Sequence, residues 1–385
     1  MSSLDTALQA DLDEIDLAGL RRVLRHVESP QGARILCDGQ ELWNYSSNDY
    51  LGLAAHPLLL EAAQRSLADH GHGAGASRLI SGTFSEHLAL EEALAHFKGT
   101  QAALTFGSGF AAAVGVLPAL AGSGDVIILD KLSHASLVDG ARLSGAQLRV
   151  FPHNNLEKLE SHLSWARQKF PHARVIVVAE SVYSMGGDLA PLREIVELKD
   201  RFGAWLMLDE AHGVGVLGNQ GRGLADAEGV ADRVDIQMGT LGKALGSSGA
   251  YICGSRVLAD FLVNRARSFI FSTAPPPSVS AAARAAVELL QSPEGTRRID
   301  LLHANLRFFG EAAALGAVLT PIVPIVLGEE EKAVATSHSL RRQGYLVPAV
   351  RYPTVARGAA QLRITITAAH ERENLQALAA ALILA

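Results

Sequence analysis

The chain has 385 residues, 48% apolar and 19% charged, and carries a net charge of −6. This composition excludes a disordered tract, and its mild acidity argues against nucleic acid as a partner. Two distant cysteines, Cys37 and Cys253, exclude a disulfide framework and point to a reducing, cytoplasmic compartment.

No apolar run approaches the roughly 18 residues of a membrane span. The opening acids, Asp5 to Asp16, carry the wrong charge for a targeting peptide. Residues 4–27 have helical periodicity and close on Leu20-Arg-Arg-Val-Leu-Arg25. These arginines are either a solvated face or a contact for an acidic substrate. Arg34 to Tyr45 reads as a hairpin turning at Asp38-Gly39. Ser46-Ser-Asn-Asp-Tyr-Leu-Gly-Leu53 is a loop, and a helix follows His56-Pro57. His70-Gly-His-Gly-Ala-Gly-Ala-Ser-Arg78 is glycine-rich; its histidines have no third ligand at helical spacing, so no metal is expected. Glu86 to Phe97 is an amphipathic helix, with Lys98-Gly99 as its cap and Lys98 as a helix-end cation.

From there strands and helices alternate. Ala102 to Phe106 is a strand, and Gly107-Ser-Gly-Phe110 then opens an alanine-rich helix. Such a turn either offers free N–H groups to a phosphate or merely packs. Further strands are Val126 to Asp130, Arg174 to Glu180, Trp205 to Asp209, Val234 to Met238 and Ala250 to Gly254. Apolar strands between helices imply an α/β fold with a mostly parallel sheet covered on both faces. Ligands bind beyond the carboxyl ends of such strands. Phe106/Gly107, Asp130 to His134, Glu180 to Ser184, Asp209 to His212 and Thr240 to Lys243 all fall at strand exits.

After Ser292-Pro293 the pattern changes to strands at Leu319 to Leu327, Tyr345 to Arg351 and Gln361 to Thr367, separated by helices. The last alternates apolar and polar, as a strand with one exposed face would. The closing residues 377–385 read as a short helix end. The expected organisation is an N-terminal helix and hairpin (1–50), a large α/β domain (51–292) and a small α+β domain (293–385). Arg351 and Arg363 sit on strands of the small domain, where each either holds a carboxylate in bidentate fashion or is solvated.

Lys243 is the one charge between Gln237 and Ile252, in a chain with seven lysines and 27 arginines. A desolvated lysine without a carboxylate partner loses its proton and forms Schiff bases with aldehydes. Asp209, at the end of an apolar run 34 residues upstream, is an acid suited to a pyridinium nitrogen. Two other motifs compete. Asp209-Glu-Ala-His212 spells a helicase box, but Gly242-Lys243 lacks the phosphate-loop context that such an enzyme needs. Gly213-Val-Gly-Val-Leu-Gly218 matches a dinucleotide fingerprint, but Asp-Glu-Ala-His separates it from its strand and no good helix start follows. A non-catalytic binding protein leaves so many titratable groups at strand exits unexplained.

Ser46 to Leu53, Gly107 to Phe110, Leu132-Ser-His-Ala-Ser136, Glu180-Ser-Val-Tyr-Ser-Met-Gly-Gly-Asp188, Asp209 to Gly215 and Thr240 to Lys243, in this order and spacing, resemble the α-oxoamine synthases. That family comprises fold-type I, aminotransferase-like enzymes that use pyridoxal 5'-phosphate. The resemblance implies that Lys243 carries the cofactor, Asp209 pairs with its ring nitrogen and His134 stacks on its face. It implies that Ser184 and His212 contact the phenolic oxygen and that Gly109, Phe110 and Thr240 hold the phosphate. Ser272 and Thr273 would come from a second subunit, making a homodimer with shared sites. Lys243, His134 and Asp209 would be the catalytic residues. Leu20-Arg-Arg, Ser272-Thr-Ala-Pro-Pro and Arg351-Tyr-Pro-Thr354 resemble the branch that condenses L-alanine with a pimeloyl thioester. Arg21, Asn48, His134, Arg351 and Thr354 would be its substrate contacts. The acyl carrier is coenzyme A or a carrier protein, for which Arg21, Arg22 and Arg25 offer a basic patch. One departure is Ala113, where the family pattern leads one to expect Asn.

Overall fold

A computed structural model describes residues 2–383. The hairpin consists of β1 (Arg34–Cys37) and β2 (Gln40–Asn44), paired antiparallel. Asp38 and Gly39 both have positive φ, 51° and 73°, which suits a two-residue turn between twisted strands.

Seven strands form the central sheet: β3 (Ala102–Phe106), β4 (Val126–Asp130), β5 (Gln147–Phe151), β6 (Val175–Glu180), β7 (Trp205–Asp209), β8 (Ile236–Thr240) and β9 (Ala250–Gly254). Their order is β3-β9-β8-β7-β6-β4-β5. Neighbours are parallel except at β9, which runs antiparallel to both β3 and β8. Side chains alternate between two cores. Ile127, Ile176 and Met207 face the core that contains helix Gly109–Leu120. Val126, Val175 and Leu206 face the core built with helices Leu156–Lys169 and Leu192–Arg201. With both faces covered, strand residues are apolar until the carboxyl ends, where the acids and hydroxyls collect.

The C-terminal region adds β10 (Ile322–Gly328), β11 (Tyr345–Leu346), β12 (Ala349–Val350) and β13 (Ala360–Thr365). A small sheet runs β10-β13-β12, while β11 leaves it to pair in parallel with β2. The N-terminal hairpin is thus stitched to the small C-terminal region. The last helix is Arg372–Ile383; residues 384 and 385 of the expected helix end lie outside the described residues. Among the described residues no helix is long and apolar enough to cross a membrane.

Three expectations need correction. The first helix is Ser3–Leu17 and does not continue to residue 27, because Gly19 turns the chain at φ 65° and no residue of the helix is buried to hold it. Leu20 to Arg25 is therefore irregular and largely exposed. Second, β13 has no exposed face; all six residues are buried. Its apolar positions, Leu362 and Ile364, enter the main core. Its polar positions turn to the loop after β6, where Gln361 donates to the Met185 carbonyl at 2.8 Å and Arg363 Nε to the Ser184 carbonyl at 2.7 Å.

Third, Lys98 is not a solvated helix-end cation. Gly99 does cap helix Ser85–Lys98 in the left-handed conformation, but the Lys98 side chain points inward. Its ammonium pairs with the fully buried Glu210 and donates to the Arg222 carbonyl. Gly223 completes the packing, since a Cβ there would lie 2.4 Å from both carboxylate oxygens of Glu210. Removing one partner of a buried pair strands the other charge. Lys98→Ala is expected to cost about 3–5 kcal/mol of stability. Urea denaturation measures this, and Lys98→Met combined with Glu210→Gln should recover most of the loss.

Candidate active site

The five strand exits meet at one edge. Asp209 ends β7 and Thr240 ends β8, with Lys243 in the turn beyond. Glu180 ends β6 and is the direct register neighbour of Asp209. His134 caps helix Ala135–Ser144 after β4. Ser108 caps helix Gly109–Leu120 after β3, its hydroxyl accepting from the Ala111 N–H at 3.0 Å. The amides of Gly109 and Phe110 remain free of intrahelical acceptors, as first-turn amides must. A cavity of about 500 Å³ reaches from Lys243 past Asn48 and Ser47 to Gln31 and Arg25. A more apolar cavity of about 630 Å³ lies around Trp205 and Phe261, away from these groups.

The Lys243 amine lies 2.9 Å from His212 Nε2, and His212 Nδ1 lies 2.5 Å from the Tyr50 hydroxyl. Burial pushes Lys243 below the ordinary lysine range, against the opposing pull of Asp209 and Glu180. Burial and the neighbouring Lys243 and Arg363 hold His212 well below the usual imidazole range, so its ring is neutral. Burial lifts the Tyr50 phenol to about 12, so it keeps its proton. The same hydroxyl reaches Asn48 Oδ1 at 3.2 Å, and Arg363 donates to that oxygen at 3.3 Å.

Asp209 Oδ1 accepts the Ala211 N–H at 2.8 Å; Oδ2 takes no hydrogen bond among the described residues. Burial raises the Asp209 carboxyl, and the charge of Lys243 only partly offsets this. Glu180 is raised well above the usual carboxylate range by burial and then by Asp209. Its carboxyl accepts the His134 backbone N–H. The His134 ring is exposed, with Nδ1 2.8 Å from the Ser136 hydroxyl. Burial lowers the His134 pKa, and Asp209 opposes this.

The structure therefore brings together Lys243, His212, Asp209, His134 and Asn48. It adds Tyr50, Glu180 and Arg363. Thr240 stands at the same edge, its hydroxyl donating to the Gly249 carbonyl at 3.1 Å. The Ser184 side chain is half-buried on the loop that Arg363 holds. Ser272 and Thr273 are exposed on a segment bridged to Ser77. Ala113 lies wholly inside the apolar core, so an apolar residue suits the position.

Arg351 does not join the cluster. It donates to the Gly19 carbonyl. Thr354 is exposed and turns back on Arg351, its N–H bonding the Arg351 carbonyl at 2.9 Å. Arg21 pairs with Asp16 at 3.2 Å. The arginine at the site is Arg363, buried and aimed at Ser184 and Asn48. Its signal was the polar stripe Gln361, Arg363, Thr365 on an otherwise apolar strand. The dinucleotide fingerprint Gly213–Gly218 forms consecutive turns followed by a three-residue 3-10 turn, Asn219–Gly221, and a four-residue helix, Leu224–Ala227, so it opens no long helix toward a pyrophosphate.

The family model for aminotransferase class I and II matches residues 40–382. An 8-amino-7-oxononanoate synthase of Geobacter sulfurreducens is 47% identical over 382 residues, covering 98% of this chain and 97% of that one. Among solved structures, a serine palmitoyltransferase of S. paucimobilis with a bound PLP–myriocin aldimine superimposes with a TM-score of 0.92 at 28% identity, over 99% and 97% of the two chains. An 8-amino-7-oxononanoate synthase of Francisella tularensis superimposes with a TM-score of 0.73 at 28% identity, over 89% and 96%. The chain belongs to the aminotransferase class I and II family and, within it, to the 8-amino-7-oxononanoate synthase branch.

Proposed function

We propose that the chain condenses L-alanine with a pimeloyl thioester, releasing CO2 and the free thiol and yielding 8-amino-7-oxononanoate for biotin biosynthesis. The observation that carries this is the half-buried Lys243 amine at the cavity, held by neutral His212 with Asp209 and Arg363 nearby. The cofactor of the family is pyridoxal 5'-phosphate, and the residues present fit it. Among the described residues Asp209 has an oxygen without a hydrogen-bond partner, burial lowers the lysine toward its neutral form, and a twelve-residue helix, Gly109–Leu120, opens at the same sheet edge. When bound, the cofactor supplies an aldehyde for Schiff-base chemistry and a ring that accepts the electron pair released at the amino-acid Cα.

The roles of the chain's own residues follow from their positions. Lys243 would anchor the cofactor and would be the base that takes the alanine Cα proton; burial lowers its pKa in the direction that favours the free amine. Asp209 holds the ring nitrogen protonated. His134 offers its exposed ring as a stacking face, and His212 with Ser184 donates to the phenolic oxygen. Gly109, Phe110 and Thr240 receive the phosphate. Arg363, with Asn48, takes the alanine carboxylate, the role that Arg351 was expected to fill. The new bond joins Cα to the thioester carbonyl as the thiolate leaves. The carboxylate then departs as CO2, and His134 or Lys243 returns a proton to Cα. Arg21, Arg351 and Thr354 gather near Gly19 and are assigned to the acyl side.

A homodimer completes the site. Ser272 and Thr273 are exposed, as are the apolar Ile80, Phe110, Leu132 and Phe271. A second copy would bury them and bring the two hydroxyls to the phosphate. Cys37 and Cys253 are both free and buried, in keeping with a cytoplasmic protein.

Serine condensation is the second reading, because the serine palmitoyltransferase superimposes better than the oxononanoate synthase structure. Nearly full-length identity of 47% favours alanine.

The holoenzyme should be yellow and should release thiol from pimeloyl-CoA with L-alanine. Release driven by glycine or L-serine instead would move the chain to a sister reaction, and failure to take up pyridoxal phosphate would overturn the site. Lys243→Ala should lower turnover by at least about 10³-fold. Steady-state kinetics separate the two arginines. Arg363→Met should raise KM for alanine by about 30-fold or more, while Arg351→Met leaves it nearly unchanged.

A further inference from the structure

One titratable cluster lies beneath the strand exits and takes no part in the chemistry above. His153, in the loop after β5, has a carboxylate at each ring nitrogen. Nδ1 lies 3.0 Å from Asp130 Oδ1, and Nε2 lies 2.6 Å from Asp188 Oδ2. The Asp130 side chain is fully buried at the end of β4. It also accepts from the Leu132 N–H and the Asn154 N–H, both at 2.8 Å. Asp188 closes the loop that leaves β6 and carries Ser184, and Asn154 Nδ2 reaches it at 3.3 Å. The Tyr183 ring meets His153 edge-on, with centroids 4.4 Å apart. The next carboxyl along, Glu180, is engaged by the His134 N–H.

A neutral imidazole has one N–H and one lone pair, so it can donate to only one of two carboxylates. Two simultaneous hydrogen bonds require the imidazolium. Burial alone would lower the pKa of His153; its hydrogen bonds and charge contacts with Asp130 and Asp188 outweigh burial and raise it.

We propose that His153 is a positioning residue whose imidazolium clamps the exit loop of β4, which carries His134, to the exit loop of β6, which carries Ser184. The inference rests on the cofactor reading of that site. Both bonds are charge-assisted, and so are stronger than neutral ones. A raised folded-state pKa means the clamp is closed at and below the usual histidine range and opens as pH rises through the raised value. On opening, one N–H is lost and the more exposed arm, Asp188, is released. His134 and Ser184 then lose their fixed separation.

The test measures the dissociation constant for pyridoxal phosphate from about pH 6 to about pH 9, using wild type, His153→Gln and Asp188→Asn. Asp188 is half-exposed, so its variant keeps the test usable if His153→Gln folds poorly. Wild type should lose about tenfold in affinity along an alkaline limb. Both variants should bind about tenfold more weakly at low pH and show no such limb. Titration of the cofactor itself is common to all three proteins and cancels in the comparison. A merely structural role would lower affinity equally at every pH and leave the limb in place, which would overturn the clamp. A wild type that binds cofactor and turns over without the limb would overturn the clamp alone; one that never binds cofactor would overturn the site reading beneath it.

Discussion

A half-buried lysine amine at the carboxyl edge of a parallel sheet governs the rest of the site. Desolvation disfavours its ammonium form, but Asp209 and Glu180 stand close enough to pull the proton back. The balance is kept by what surrounds it. His212 is neutral, and Arg363 adds positive charge that further disfavours a second cation. Glu180 and Asp209 lie side by side across β6 and β7, and burial, then the charge of Asp209, raises Glu180 well above its ordinary range. With Glu180 inclined to be neutral, Asp209 is the carboxylate best placed to meet a cationic ring nitrogen. Two carboxyls at equivalent strand positions are thus both raised by burial, Glu180 further by the charge of Asp209, while Lys243 pulls Asp209 back.

The geometry of this edge depends on β13. Its apolar residues lock into the core while Arg363 and Gln361 bond the carbonyls of Ser184 and Met185 on the loop after β6. The small C-terminal region is therefore fastened to the large one through the site loop itself. Any shift of β13 would move Ser184, Asn48 and the environment of Lys243 together. The hairpin adds a tie from the other side, since β2 pairs with β11 and leads into the Ser47–Tyr50 loop that touches His212.

Much of this was legible in the residues because burial on both sheet faces forces apolar strands to end abruptly. That abrupt ending flagged the five strand exits and picked out Lys243, Asp209, His134 and His212. What the sequence concealed depended on direction. Lys98 and Gly99 carry a helix-end signature, and Gly99 does cap the helix, yet that signature is silent on whether the lysine turns outward or inward. The polar residues of β13 follow the alternation of a half-exposed strand, and period alone cannot distinguish water from a polar site loop. Arg351 and Arg363 both sit on strands of the same small region, and only tertiary placement separates the one bound to Gly19 from the one beside Asn48. Tyr50 was visible inside Ser46 to Leu53, but its tie to His212 spans 162 residues.

The Asp209-Glu-Ala-His212 box joins these themes. Successive strand-exit residues must point in different directions, and here Asp209 and His212 face the site while Glu210 turns away into the protein. A carboxylate sent inward needs a partner, and Lys98 meets it from the end of another helix. It also needs room, and Gly223 provides it at φ 112° with no side chain to collide with the carboxylate. Glu210 also accepts the Ala225 N–H at 3.1 Å. The inward residue is thus fixed by an ion pair, a backbone donor and a close glycine, and its rigidity sets the direction of the two neighbours proposed to act in the chemistry. The direction of Asp209 and His212 is thus set by a charge buried behind the site edge.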